Sequence, residues 1–278
     1  MAIVGLIYDH PRVEEKLIAK ELRDKGFQVD MINVNRTPLY IGGASHYDAI
    51  IVRTISLYNG IYSAAVYESQ GKWVINRSYT LITAGDKILT LSLLASNKVP
   101  VVDSMVAVGR EAALKAAEII GYPLVDKPPI GSWGRLVSLV TNARHHEDII
   151  EHRGILGAQF KTHLIQRYIE PGGRDIRCIV VGETLTGCIE RIAPKGEWRS
   201  NVALGAETKP RKIDGELEEI SIKTARIIKG EFISIDILES SQGYLVNEVN
   251  GIPEFKGFMK ATNKNPATTL ATWIKNKL

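Results

Sequence analysis

The chain has 278 residues, 45% of them hydrophobic, with 35 Lys and Arg against 31 Asp and Glu for a net charge of +4. That apolar content is enough for a real core, and no apolar run approaches the ~18 residues of a membrane-spanning helix. The mild basic excess suits an anionic small molecule, an acidic protein or nucleic acid without choosing between them. There is no Lys/Arg block of the nucleic-acid type and aromatics make up only 7%, so nucleic-acid binding ranks last.

In chain order, residues 2–8 form a continuous apolar strand with no basic segment ahead of it, which excludes a signal-peptide reading. Val13, Leu17, Ala19 and Leu22 make a helical face that stops at Gly26. Strands at 28–34 and 47–52 and a helix at 61–69 follow, and this βαβ alternation predicts an open, mostly parallel sheet. The first strand is not followed by Gly-x-Gly-x-x-Gly, so it is not a dinucleotide site. A helix over 84–96, a short strand at 99–102 and a helix over 108–120 come next. Strands at 124–127 and 136–140, a helix over 146–156, and strands at 163–169, 175–181 and 184–190 follow. A longer helix carries Leu217, Ile220, Thr224, Ile227 and Ile228 on one face. A β-hairpin (231–238 and 244–250) and a last helix (267–278) complete the chain. The expected divisions are an N-terminal α/β domain (1–82), a central subdomain (83–169) and a C-terminal subdomain (170–278). Only Cys178 and Cys188 are present, without metal-type spacing. Neither a zinc site nor a disulfide is expected, both cysteines read as buried strand residues, and a reducing cytoplasm fits.

Polar residues with chemical potential interrupt this pattern. On the hairpin, Glu248 and Asn250 are two apart and share a face, and Asp236 on the partner strand can join them. Two carboxylates and an amide oxygen form a hard, oxygen-only set suited to Mg²⁺. Lys127 ends a strand, and the loop Gly131, Ser132, Trp133, Gly134, Arg135 follows; glycines let backbone N–H groups approach phosphate. Lys87 stands in the first turn of a helix, where a cation opposes the helix dipole unless it faces an anion. Gln166, Arg167, Tyr168 and Ile169 end a strand before Pro and two Gly, a hinge whose free backbone groups can meet an adenine edge. Arg177 shares the face of Asp175 and has the fork geometry for a phosphate or carboxylate. Arg191 and Asn201 are candidates to grip substrate. Taken singly, each has a plain alternative: a turn, a solvated lysine, a surface loop.

In this order, Gly85, Asp86 and Lys87, then Lys127, the glycine loop, residues 166–169, residues 174–177, Asn201, Asp236, Glu248 and Asn250 resemble the ATP-grasp family across residues 80–260. The resemblance implies an ATP-grasp fold behind an N-terminal α/β domain. It also implies an ATP-dependent carboxylate–amine ligase working through an acyl phosphate, with two Mg²⁺ ions on Asp236, Glu248 and Asn250. By the same resemblance, Lys87, Lys127, residues 131–135, residues 166–169 and Asp175 hold ATP, and Arg177, Arg191 and Asn201 are catalytic.

Residues 247–258 resemble the branch containing the ribosomal-protein glutamate ligases and the LysX/ArgX ligases, which act on the acidic carrier protein LysW. At 257–258 the glutamate-using members carry Gly-Phe and the 2-aminoadipate ones Asn-Thr. Here the residues are Gly257 and Phe258, so the implied substrates are L-glutamate and the C-terminal glutamate of LysW. Arg191, Asn201, Val202, Gly257 and Phe258 would face them. Lys195, Arg199, Lys209, Arg211 and Lys212 would meet the acidic tail, and a homodimer or homotetramer is implied. Lys229 and Gly230 stand where glycines are usual, a minor departure. Alternatives are 2-aminoadipate with the same carrier, a ribosomal-protein tail, or a non-catalytic nucleotide-binding regulator.

Overall fold

In a computed structural model that describes residues 1–170 and 172–278, the N-terminal segment comprises β1 (Ile3–Tyr8), α1 (Val13–Asp24), β2 (Gln28–Asn33), β3 (Ala49–Val52), α2 (Leu57–Ser69) and β4 (Trp73–Ile75). Its strands form a parallel sheet in the order β2-β1-β3-β4. Val4, Leu6, Ile7, Ile50 and Ile51 are all fully buried, because the sheet is covered on both faces and needs no polar alternation. The short β4 was not anticipated.

The single helix expected over 84–96 is two, α3 (Ser78–Gly85) and α4 (Lys87–Ser96). Asp86 breaks it, because its side chain accepts from the Ile88 and Leu89 N–H groups (2.8 and 3.1 Å) and caps a new helix. The strand expected at 99–102 is a single bridge from Val101 to Val246. The strand is instead β5 (Ser104–Val108), and Gly109, with φ of 92°, separates it from α5 (Arg110–Ile120). With β6 (Leu124–Lys127), β7 (Ser138–Val140), α6 (Ala143–Ile155) and β8 (Thr162–Arg167), these build an antiparallel sheet β5-β8-β6-β7 over a private core that includes Ala113, Ala117, Leu124, Val140 and Ile165.

The rest comprises β9 (Arg174–Val181), β10 (Thr184–Ile192), β11 (Glu207–Arg211), α7 (Gly215–Ile228), β12 (Phe232–Ser240), β13 (Gly243–Asn250), α8 (Lys256–Thr262) and α9 (Pro266–Lys277). The five strands pair as β11-β10-β9-β12-β13, all antiparallel. β11 and α8 were missed; β11 carries Pro210, tolerated because it is an edge strand.

Alternation sorts this sheet into two faces. One is apolar: Ile176, Val180, Ile235 and Ile237 pack on Leu217, Ile220 and Ile228 of α7, and on Ala84 and Leu94 of α3 and α4. Cys178 and Cys188 belong to this face and are paired across β9 and β10, with Cα atoms 4.1 Å apart, in a disulfide. This corrects the expectation of free cysteines: composition gives no register, and register is what sets the two directly opposite.

The N-terminal segment and the C-terminal sheet share one core, in which Val4, Leu6 and Ile18 join Ile179, Phe232, Phe255 and Ile274. Arg53 is fully buried within it, 5.7 and 5.8 Å from the Phe232 and Phe255 ring centres, with its Nε donating to Glu15. Asn76 fastens the base of the hairpin. Its amide donates to the Phe232 and Gly251 carbonyls (2.6 and 2.7 Å) and accepts from the Glu231 and Phe232 N–H groups (2.8 and 3.0 Å).

Candidate active site

The second face of the five-stranded sheet packs on the shared core at one end, through Ile179 and Phe232, and is charged at the other. Register pairs Arg191 with Asp175, Arg177 with Asp236, and Asp236 with Glu248, and brings Asn250 opposite Ser234. The hairpin therefore gathers Asp236, Glu248 and Asn250 on one face, as their spacing implied. A β-bulge lies between Asp236 and Ile237 and leaves Asn247 unpaired. The bulge turns Asn247 toward the cleft beside Glu248, where its side-chain oxygen accepts from Lys127 Nζ (2.7 Å). Strict alternation hides Asn247, and no sequence signal marks the bulge.

Asp236 is held on both oxygens: Arg177 donates from Nε and Nη2 (2.7 Å each), and Arg191 Nη2 lies 2.8 Å away. Arg191 also forks onto Asp175, with Nε 2.7 Å from Oδ1 and Nη2 on Oδ2. Burial opposes ionisation of Asp236, but the two guanidiniums overcome it and hold the carboxyl well below its usual range. Asp175 is thus paired with Arg191 while it lines the cleft.

A carboxylate offers about four lone-pair sites, so Asp236 retains one beyond its three donors. Glu248 is 3.4 Å from Lys87 Nζ, and the Asn250 amide nitrogen is buried without a partner among the described residues. This all-oxygen set fits Mg²⁺.

Above this face lies a cleft. Its inner part, about 120 Å³, is lined by Lys87, Lys127, residues 131–135, Gln166, Tyr168, Ile169, Asp175, Arg191, Asn201, Asp236, Asn247 and Glu248, among others. Lys127 is nearly buried, and burial pulls its ammonium down to about 8 despite Glu248 nearby. Lys87 donates to the Gly131 carbonyl (2.8 Å). Trp133 and Gly134 have φ of 59° and 70°, and the Arg135 guanidinium sits 4.8 Å from the Trp133 ring centre. Gln166 bonds Ser104 Oγ and keeps its carbonyl oxygen unpaired. The Arg167 side chain leaves the group: it forks onto Asp103 (3.1 and 2.9 Å), because alternation along β8 turns it away from Gln166.

An outer cleft of about 1220 Å³ adjoins the inner one and shares Gly131, Ser132, Trp133, Arg191, Asn201 and Glu248 with it. Its wall includes Arg177, Val202, Thr208 and Gly257. A side chain added at Gly257 would start 3.6 Å from Thr208 and Val202, so this glycine keeps the wall open. Phe258 also borders this cleft, but it is 1% exposed and its ring packs over Gly187 in the shared core.

Of the basic residues offered for an acidic tail, Arg199 pairs with Glu197, Arg211 with Glu239 and Lys209 with Glu207, which leaves little net attraction from those three. A second ligand-like group, Asp126, His146 and His163, is buried in the central subdomain. Arg153 Nη1 already lies 2.6 Å from the Asp126 carboxylate and supplies its cation, so the group is a buried ion-pair network, in which His146 Nδ1 and Arg153 Nε have no partner among the described residues.

A cleft with two lysines and a glycine loop, lying over a sheet face of carboxylates, is the arrangement an ATP-grasp ligase needs. The chain belongs to the RimK-like ATP-grasp family, whose domain matches residues 84–274, while residues 4–83 match the LysX preATP-grasp domain. It is therefore an ATP-dependent ligase, and its family uses ATP and Mg²⁺. It is 51% identical to the glutamate–LysW ligase ArgX of Sulfurisphaera tokodaii over 98% of each chain. It is 35% identical to the alpha-aminoadipate–LysW ligase LysX of the same organism, over 98% of this chain and 99% of the other. The fold is also that of a RimK domain ATP-grasp protein from Sphaerobacter thermophilus, with a TM-score of 0.78 at 23% identity over 98% and 99% of the two chains.

Proposed function

We propose that the protein joins the α-amine of L-glutamate to the γ-carboxylate of the C-terminal glutamate of the carrier protein LysW. A carboxylate oxygen attacks the γ-phosphorus of ATP and ADP leaves. The glutamate nitrogen then attacks the acyl carbon, phosphate leaves, and the amine proton passes to solvent. Most of the protein's contribution is positioning and charge neutralisation. Lys87 and Lys127 neutralise the phosphates; Asp236, Glu248 and Asn250 would hold two Mg²⁺ ions, which spread the phosphate charge when bound. Arg177 and Arg191 fix Asp236 and, with Asn201, orient the acyl phosphate. Val202 and Gly257 line the amino-acid side of the cleft.

The choice of glutamate rests on Gly257 matching the residue of the glutamate-using members rather than on room, since 2-aminoadipate is longer by one methylene and the wall between Val202 and Thr208 stays open. The higher identity to the glutamate enzyme than to the 2-aminoadipate enzyme supports the same choice. A homodimer or homotetramer in the cytoplasm completes the proposal. The test is ADP release with Mg-ATP and carrier, adding glutamate or 2-aminoadipate in parallel, with mass analysis of the carrier. A gain of one glutamate residue alone is expected; a gain of 2-aminoadipate alone overturns the substrate assignment.

A further inference from the structure

The glycine loop is gripped from both ends. Lys87 takes the Gly131 carbonyl on one side. On the other, Arg199 Nη1 donates to the Gly134 carbonyl (3.2 Å). Arg199 is itself aimed by Glu197, whose two oxygens accept from Nε and Nη2 (3.0 and 2.8 Å). Glu197 Oε1 also accepts from the Trp198 and Arg199 N–H groups (2.9 Å each), so one carboxylate shapes the loop and orients the guanidinium. The fit is close, since a Cβ on Gly134 would lie 2.8 Å from Asn201 Oδ1. Trp198 packs edge-on to Tyr168 at the hinge, 6.3 Å between ring centres.

We propose that Arg199, held by Glu197, is a positioning residue that latches the glycine loop over the reaction centre and keeps water from the acyl phosphate. This rests on the acyl-phosphate reading above. Arg199 lines the cleft, and its side-chain hydrogen bonds go to Glu197 and the Gly134 carbonyl. Its carbonyl contact joins the nucleotide-side loop to the segment that carries Asn201 and Val202, so both sides of the cleft close together. When the loop opens, water attacks the acyl carbon and the C–O bond to phosphate breaks. The original carboxylate and inorganic phosphate are released, a proton goes to solvent, and ATP is consumed without an amide. Losing one hydrogen bond from a charged donor shifts a closed-to-open balance by roughly tenfold or more.

The experiment compares ADP released with carrier amide formed, in wild type, Arg199→Ala, Glu197→Gln and Arg199→Lys. Wild type gives equal amounts. Arg199→Ala raises the ADP-to-amide ratio by roughly threefold or more, Glu197→Gln raises it less, and Arg199→Lys, which keeps a donor for the carbonyl, restores part of the coupling. Equal falls in both products with an unchanged ratio overturn the latch. So does a raised KM for carrier at an unchanged ratio, which would make Arg199 a tail contact. Tryptic cleavage after Arg135 with ATP bound, read by mass, tests the loop without any acceptor and so separates failure of the latch from failure of the substrate assignment. Faster cleavage in Arg199→Ala supports the latch, and equal rates overturn it.

Discussion

Gly257 and Phe258 both border the outer cleft, but Phe258 is 1% exposed with its ring packed on Gly187, and separating the two tests the substrate reading. At Gly257 a new side chain meets Val202 and Thr208 at 3.6 Å, ordinary contact distance, so Gly257→Asn is tolerated and narrows the cleft. Discrimination by about one methylene is worth roughly 1–3 kcal/mol, or 10–200-fold in specificity; Asn stands here in the 2-aminoadipate-using members, so Gly257→Asn alone is expected to shift preference toward 2-aminoadipate within that range, through hydrogen bonding by the new amide rather than through room. Phe258→Thr instead empties a core position packed on Gly187 and buries a hydroxyl there. By analogy with Phe→Ala changes it costs about 3–5 kcal/mol, a fall of roughly 6–20 °C in Tm at this chain size. Competition between the two amino acids, read by carrier mass, measures the first effect and thermal unfolding the second. The reasoning is refuted if Phe258→Thr shifts the substrate ratio while leaving Tm unchanged, because the ring would then be reading substrate directly.

Other outcomes follow from the same geometry. Asp236→Asn is expected to cut ligation at least about a hundredfold, several kcal/mol of charge stabilisation being lost; it should also lower Tm, because buried Arg191 loses one of its two anions, and a variant with full activity would exclude Asp236 as a ligand. Lys127 is a cation below about 8 and neutral above it, so ATP affinity should weaken as pH rises through that value, with bound phosphate moving the midpoint upward; calorimetry from pH 7 to 9 checks this, and an equally steep profile in Lys127→Met would assign the titration elsewhere. The Cys178–Cys188 link closes a loop with a sequence separation of 10, and reduction should cost about 2–3 kcal/mol; two alkyl groups added to the denatured chain without reductant would show that the bond is absent. Asp126→Leu strands the buried Arg153 and should destabilise by about 3–5 kcal/mol, seen as a lower denaturant midpoint.

What could be read from the chain beforehand was what depends on residue type and local spacing. Asp236, Glu248 and Asn250 came together because a hairpin turn and a two-residue period dictate a shared face. Lys127 and its loop were visible because a strand, a lysine and two glycines follow one another. What stayed hidden depends on register or on distant partners. The bulge that turns Asn247 toward Lys127, the pairing of Cys178 with Cys188, and the capture of Asp175 by Arg191 are all set by which residue lies opposite which. Arg199 read as a cation for the acidic tail because its contact with a glycine carbonyl 65 residues away leaves no mark in the sequence. Asn76 carried no signal at all, since its four hydrogen bonds go to residues at least 155 positions distant.

The core common to the first sheet and the five-stranded sheet, pinned by Arg53 between Phe232 and Phe255, makes those two layers a single anvil. The layer of β5 to β8 has an apolar interior of its own and meets the rest at the Asp86–Ile130 bridge, the Lys87 N–H on the Pro129 carbonyl and Lys127 on Asn247. It is the hammer: it can tilt as a unit while its packing stays whole, whereas parting the other two layers would split a shared interior and expose a buried guanidinium. Nucleotide can then enter and ADP leave by a swing of that one layer. Asp236, Glu248 and Asn250 stay in the anvil with Lys87, whose helix packs on the five-stranded sheet, while Lys127 and the glycine loop ride on the moving part, so each stroke brings Lys127 down toward Lys87 and a stationary bed of carboxylates.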